Sequence, residues 1–173
     1  MGAADAREAR MAGEQAVAAI ARLADLPEPT DTLLVLELEL DTVEQELFRD
    51  GDTLAVCADL MGGANGKAGL ILAPAVRDLL LERLLGSSDK DALQGAGYSA
   101  LCEVGNIAVS AAAGALASLQ LGTVVPSTPR LGQNLSRALD VDESAPACRR
   151  AFLVKFPFGD AGTLHFVWLP AAG

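Results

Sequence analysis

Glu103 and Asn106 are the residues whose types and spacing could do chemistry. The stretch from Ser99 to Pro129 reads SALCEVGNIAVSAAAGALASLQLGTVVPSTP. At about 100° per residue on a helix, Ser99, Glu103, Asn106 and Ser110 fall within an arc of roughly 60°. Leu101, Val104, Ala108, Ala111, Ala115 and Leu119 form a second stripe on nearly the opposite side, so a buried face and one short polar line are expected. Glu103 is the only charge between Asp91 and Arg130. The Glu-x2-Asn spacing sets an anion and a neutral amide side by side, one turn apart. Ala96, Ala113, Gly114 and Ala117 border the line, and so small a rim lets another protein's surface approach the pair closely. The plain alternative is a solvent-facing Glu and Asn on an amphipathic helix, which periodicity alone does not reject.

Other residue patterns carry less. The run Met61-Gly-Gly-Ala-Asn-Gly-Lys67-Ala68 is superficially like a phosphate-binding loop. The first Gly of G-x4-GK would fall on Met61, and Lys67 is followed by Ala rather than Ser or Thr, so a hairpin turn is the better reading. His165 stands alone in a strand-like run beside Phe166 and Trp168 and reads as a structural or surface histidine. Asp140, Asp142 and Glu143 lack EF-hand spacing and read as a solvated loop. Cys57, Cys102 and Cys148 are far apart and odd in number. Neither a zinc site nor a disulfide framework follows, and small buried hydrophobes in a reducing compartment are expected.

Several elements must position the polar line. The 173 residues suffice for one domain with a real core, read here as a single unit over 1–173. The chain is 51% hydrophobic but only 4% aromatic, so the core must be aliphatic. Residues 3–25 have helical composition, ended by Pro27 and Pro29. Thr32 to Leu40 alternates Leu with Glu as a half-exposed strand does. Residues 41–52 are acidic, with a turn at Asp50-Gly51. Thr53–Met61 and Lys67–Ala73 read as strands joined at Asn65-Gly66. Pro74 opens a helix through Leu85, with Gly86 at its end. The motif helix is expected over about 89–121, capped by Ser88 or Asp89. Thr123 to Leu131 is extended, held by Pro126 and Pro129 to an edge or an irregular path. Residues 132–146 read as a loop with at most one helical turn, and Ala151–Phe158 and Thr163–Leu169 as a hairpin. About three helices and six strands in this order give an α+β fold, an antiparallel or mixed sheet with long helices packed on it.

Charge and hydropathy exclude some functions. A net charge of −10 opposes binding to nucleic acid and to an anionic membrane surface. The uncharged run from Val104 to Arg130 is rich in Ala and interrupted by Asn106, Ser110, Ser118 and Gln120. It reads as a packed helix ending near Gly122, not as a membrane span. Charged residues precede any apolar run at the N-terminus, so no signal peptide is read there and a cytoplasmic location is expected.

Ser99, Glu103, Asn106 and Pro129 fit the pattern (D/S)-x3-E-x2-N-x22-P, which resembles the signature of the CheC/CheX phosphatases of bacterial and archaeal chemotaxis. The EVGN tetrapeptide, the small residues after it and the LG-x-V-x-P-S-x-P exit are similar as well. The resemblance is clear from about Gly51 to Leu131 and weaker at both ends. It implies a sheet with long helices in two pseudo-symmetric halves. It also implies a phosphatase that removes the aspartyl phosphate of a CheY-like response regulator. Asn106 would orient the attacking water and Glu103 would pair with the regulator's active-site lysine. Ser99 and Pro129 would support the geometry. No cofactor of its own is implied, since Mg²⁺ belongs to the partner regulator. Residues 3–25 hold no Glu-x2-Asn, so a single-site, CheX-like protein is implied rather than a two-site CheC. A homodimer joined through the sheets and a CheD-like protein are further partners the resemblance admits. The alternative of a different class is a non-catalytic binding module that sequesters a phosphorylated receiver domain or joins a chemotaxis complex.

Overall fold

The computed structural model describes residues 3–29, 34–86, 95–120, 122–140 and 150–171. Among them, α1 (Ala3–Leu23) leads to β1 (Leu34–Glu39), α2 (Leu40–Leu47), the hairpin β2 (Leu54–Gly62) and β3 (Gly66–Leu72), and α3 (Pro74–Leu85). The 25-residue α4 (Ala96–Gln120) follows, then β4 (Val124–Pro126), β5 (Arg130–Gly132), α5 (Leu135–Ala138), and the hairpin β6 (Arg150–Pro157) and β7 (Thr163–Pro170). The strands form one sheet in the order β1-β6-β7-β3-β2-β4, with β5 also on β2. Every pairing is antiparallel. The architecture is α+β, as expected.

Strand alternation gives the sheet two buried faces. Val56, Ala58 and Leu60 of β2, Leu70 and Leu72 of β3, Phe152, Val154 and Phe156 of β6, and Phe166 and Trp168 of β7 face α1, α3 and α4. Ala55, Cys57, Ile71, Leu153, Val167 and Leu169 face the other way, against Leu40 and Val43 of α2 and Leu135, Ala138 and Leu139 around α5. The two minor helices are tied together where Ser136 donates its N–H and hydroxyl to the Glu44 carboxylate.

The second layer was not foreseen in full. The acidic segment after β1 contains α2, because Leu40, Val43 and Leu47 share one helical stripe among its acidic residues. Leu40 therefore opens a helix instead of ending the strand. The turn at Asp50-Gly51 is present, with Gly51 at φ +72°. The N-terminal helix stops at Leu23, two residues short of the expected end, with Asp25 at positive φ. The Pro74 start and the Gly86 left-handed end of α3 are as expected. Between β2 and β3 the glycine-rich run is a hairpin closed by Gly62 N–H donating to Asn65 Oδ1 at 3.1 Å. The expected cap at Ser88 or Asp89, together with Asp142, Glu143 and Cys148, lies outside the described residues.

Among the described residues, Ala96–Leu119 is the one helix long and apolar enough to cross a membrane by length and composition. Here it is the core helix. Leu101, Val104, Ala108, Val109, Ala112 and Leu116 are fully buried, against α1 and the sheet. The buried face is rotated from the expected stripe, since Ala111 and Leu119 are only half-buried while Val109, Ala112 and Ala113 join the core.

Gly105 sets the distance between α4 and the sheet. A Cβ at this position would lie well inside contact distance of Cγ1 of Val56 on β2, so the helix backbone rests on a β-branched side chain. Ordinary helix preference favours Ala over Gly by about 1 kcal/mol. The overlap with Val56 reverses that. Gly105→Ala is expected to lower stability by about 1–3 kcal/mol, as overpacked cores do, measured as a lower urea midpoint. Relief of the loss by Val56→Ala in the double mutant would identify the contact.

Candidate functional site

Helix α4 places Ser99, Glu103, Asn106 and Ser110 on one exposed line, while Leu101, Val104 and Gly105 between them are buried. Glu103 and Asn106 are about 4.5 Å apart along the axis, from the helical rise. Among the described residues neither side chain has a hydrogen-bond or ion partner. Their backbone is fixed by the core and their functional atoms are left free. Ala96 and Gly114 of the expected rim are exposed and Ala117 is half-buried, but Ala113 belongs to the core.

Pro129 lies in a different element. It sits half-buried in the break between β4 and β5, two three-residue strands that both pair with β2. Without an N–H, proline suits a place where the ladder is interrupted. The break is pinned by Asp59: its N–H donates to Ser127 Oγ at 3.0 Å and its carbonyl accepts from Ser127 N–H at 2.8 Å. The Asp59 carboxylate binds Lys67 and, at 2.9 Å, Arg130. Burial alone would raise its pKa, but the hydrogen bonds from Lys67 and Arg130 outweigh it and the net shift is downward. The exit strand is joined back to α4 by the Tyr98 hydroxyl, which donates to Leu131 O at 3.2 Å. Ser99, Glu103 and Asn106 are thus one surface feature, and Pro129 belongs to the strap that holds the start of their helix.

Tyr98, Gly105 and the Asp59–Lys67–Arg130 cluster were missed by sequence reasoning. The glycine inside an otherwise good helix was the available signal. The ion cluster had none, because its members are brought together only by strand register.

No cluster of three metal-ligating side chains occurs among the described residues. Cys57 is fully buried, and burial pushes its thiol up to about 12. Cys102 is half-buried on α4, not fully as expected, and its thiol is also raised by burial. His165 lies buried on β7 opposite Lys155 of β6. Burial first, and then the Lys155 charge, lowers its pKa to about 4.

No protein-family profile and no curated protein sequence matches the chain. Solved structures do. The CheX chemotaxis protein of Desulfovibrio desulfuricans superposes with TM-score 0.63 at 17% identity, covering 95% of this chain and 99% of that one. CheX in a CheX–CheY–BeF3–Mg complex from Borrelia burgdorferi matches with TM-score 0.62 at 13% identity, over 95% and 98%. Thermotoga maritima FliY matches with TM-score 0.65 at 16% identity, over 95% and 86%. The chain therefore has the CheC/CheX-type fold. FliY shares it, so the fold alone does not assign an activity.

The depressed His165 pKa has a consequence for stability. The unfolded histidine binds a proton near pH 6.5, whereas the folded one resists until about 4. Its effect is absent above pH 6.5, and stability falls as pH drops from there to 4, by about 3 kcal/mol in full. His165→Gln is expected to flatten this part of the curve relative to wild type, measured by urea unfolding at pH 7.5 and 4.5. Parallel losses in both proteins would contradict the assignment.

Proposed function

We propose that the protein is a phosphatase of a phosphorylated, CheY-like receiver domain, acting in chemotaxis or related two-component signalling in the cytoplasm. The observation that carries the reading is the free Glu103/Asn106 pair on a rigid core helix, in a fold shared with a CheX that forms a complex with CheY. In this reading the α4 line docks over the receiver's aspartyl phosphate. Asn106 inserts its amide and orients a water in line with the phosphorus. The water oxygen bonds to phosphorus, the bond from phosphorus to the aspartyl oxygen breaks, and inorganic phosphate and a free carboxylate leave. Phosphoryl transfer demands positioning and charge stabilisation more than covalent chemistry from the catalyst, so a neutral amide suffices. The receiver's own Mg²⁺ neutralises charge at the phosphoryl group. Glu103 pairs with a receiver lysine and sets the register. Ser99 and Pro129 support the geometry of the helix start and its strap.

The small residues around the line favour this use. Gly114 projects nothing, and Ala96 and Ala117 project only a methyl. A flat partner surface can therefore reach the two polar side chains without displacing others.

Phosphate release from a phosphorylated CheY-like receiver, with Mg²⁺, tests the proposal. Wild type is expected to accelerate release, and Asn106→Ala to lose about a hundredfold or more of that acceleration with affinity for the receiver largely kept. Glu103→Gln is expected to weaken binding about tenfold or more as well. Both sites are exposed, so unfolding free energies should stay within about 0.5 kcal/mol of wild type. A receiver bound tightly but not dephosphorylated would replace the phosphatase with a binding module.

A further inference from the structure

The cleft bounded by α3, the start of α4, β5 and α5 has a volume of about 480 Å³, within the range of small-molecule sites. In a chain of net charge −10, two arginines line it, Arg77 and Arg137. Arg77 is a cation on the inner side of α3, its side chain only 8% exposed. Its Nε donates to Asp78 Oδ1 at 2.8 Å and its Nη1 to the Asp52 carbonyl at 3.0 Å. Nη2 has no acceptor among the described residues. Nη2 is not sealed in the interior, and an unpaired donor that reaches solvent can exchange water for an oxyanion. Arg137 is exposed on α5, and its guanidinium has no partner among the described residues. The walls are apolar: Leu54, Leu131 and the ring of Tyr98, held in place by its bond to Leu131 O.

We infer that this cleft binds a small oxyanion carried on an apolar or aromatic body, with Arg137 and the free edge of Arg77 taking the oxyanion. Planar guanidinium forks match carboxylate and phosphate oxygens in pairs. Asp78 pairs with Arg77 and Asp52 also lines the cleft, so two cations and two anions balance formally, and recognition rests on the guanidinium forks rather than on net charge. That balance suits a ligand of low charge, a carboxylate or a phosphate monoester, and disfavours a polyphosphate. Leu54, Leu131 and Tyr98 receive the body. On the helix, Tyr98 lies about 80° from Asn106 and 140° from Glu103. The cleft therefore flanks the polar line and does not contain it, and the inference stands whether or not a receiver is the partner.

Nuclear magnetic resonance titration of the full chain with benzoate, phenyl phosphate and the neutral isostere benzamide tests it. Saturable shifts of the Tyr98 and Gly132 amides and of the Arg77 Nε–H are expected with benzoate, phenyl phosphate or both, and not with benzamide. The anion that binds more tightly identifies the oxyanion. Arg137→Gln is expected to weaken binding about tenfold or more. Arg137→Lys, which keeps the charge without the fork, should fall between. Arg137 is exposed, so both variants should fold. No saturable shift with either anion, equal binding of benzamide, or wild-type affinity in Arg137→Gln would overturn the inference.

Discussion

The helix that carries the polar line touches the sheet through one missing side chain. Gly105 brings the backbone of α4 down onto Val56 of β2, and Glu103 and Asn106 stand on either side of it in sequence. The depth of this contact sets the height of both side chains above the sheet. It also lets the flanking core residues Leu101, Val104 and Ala108 bury completely against their neighbours. A tightly packed interior has low compressibility, so the pair is presented by a rigid element. Preorganisation of this kind is what a positioning catalyst needs.

The remainder of the fold backs up that contact. Helix α1 packs along α4 on the same face, and the sheet beneath is buried on its second face by α2 and α5. At the start of α4, Tyr98 is bound to the strap of β4 and β5, which Asp59 holds to β2 through backbone, hydroxyl and ion-pair contacts. The helix is therefore fixed along its length by packing and near its beginning by hydrogen bonds. Electrostatics add little to this rigidity but shape approach. The line carries one negative charge in a strongly acidic protein, so a partner that offers a cation to Glu103 is steered in and an acidic one is held off.

Much of the α+β architecture could be read from hydrophobic period and turn residues. The Pro74-to-Gly86 helix, the Asn65-Gly66 hairpin and the alternating Leu/Glu strand as far as Glu39 each follow from a local rule that the tertiary structure leaves intact. Helix α2 escaped because three apolar residues lie among acidic ones, and their burial depends on a sheet face that is not visible locally. The exposed line of Ser99, Glu103, Asn106 and Ser110 was legible as a period of about 3.6 residues. Its rim was only partly so, because Ala113 is apolar enough for either surface and packing chose the core. The Asp59 cluster and the Arg77/Arg137 cleft were not legible, since both depend on register and on contacts between distant segments. Pro129 was found as part of a spacing pattern, and its place in a break between two short strands emerged only from the pairing with β2.

The central claim is that the α4 line is the surface that engages a phosphorylated receiver domain. The most direct test is an amide chemical-shift map of this protein with a BeF3-activated, Mg²⁺-loaded receiver. Perturbations centred on Ser99, Glu103, Asn106 and Ser110, lost when the receiver is not activated, are predicted. A map of equal strength centred on α2 and α5, across the sheet from α4, would contradict the account.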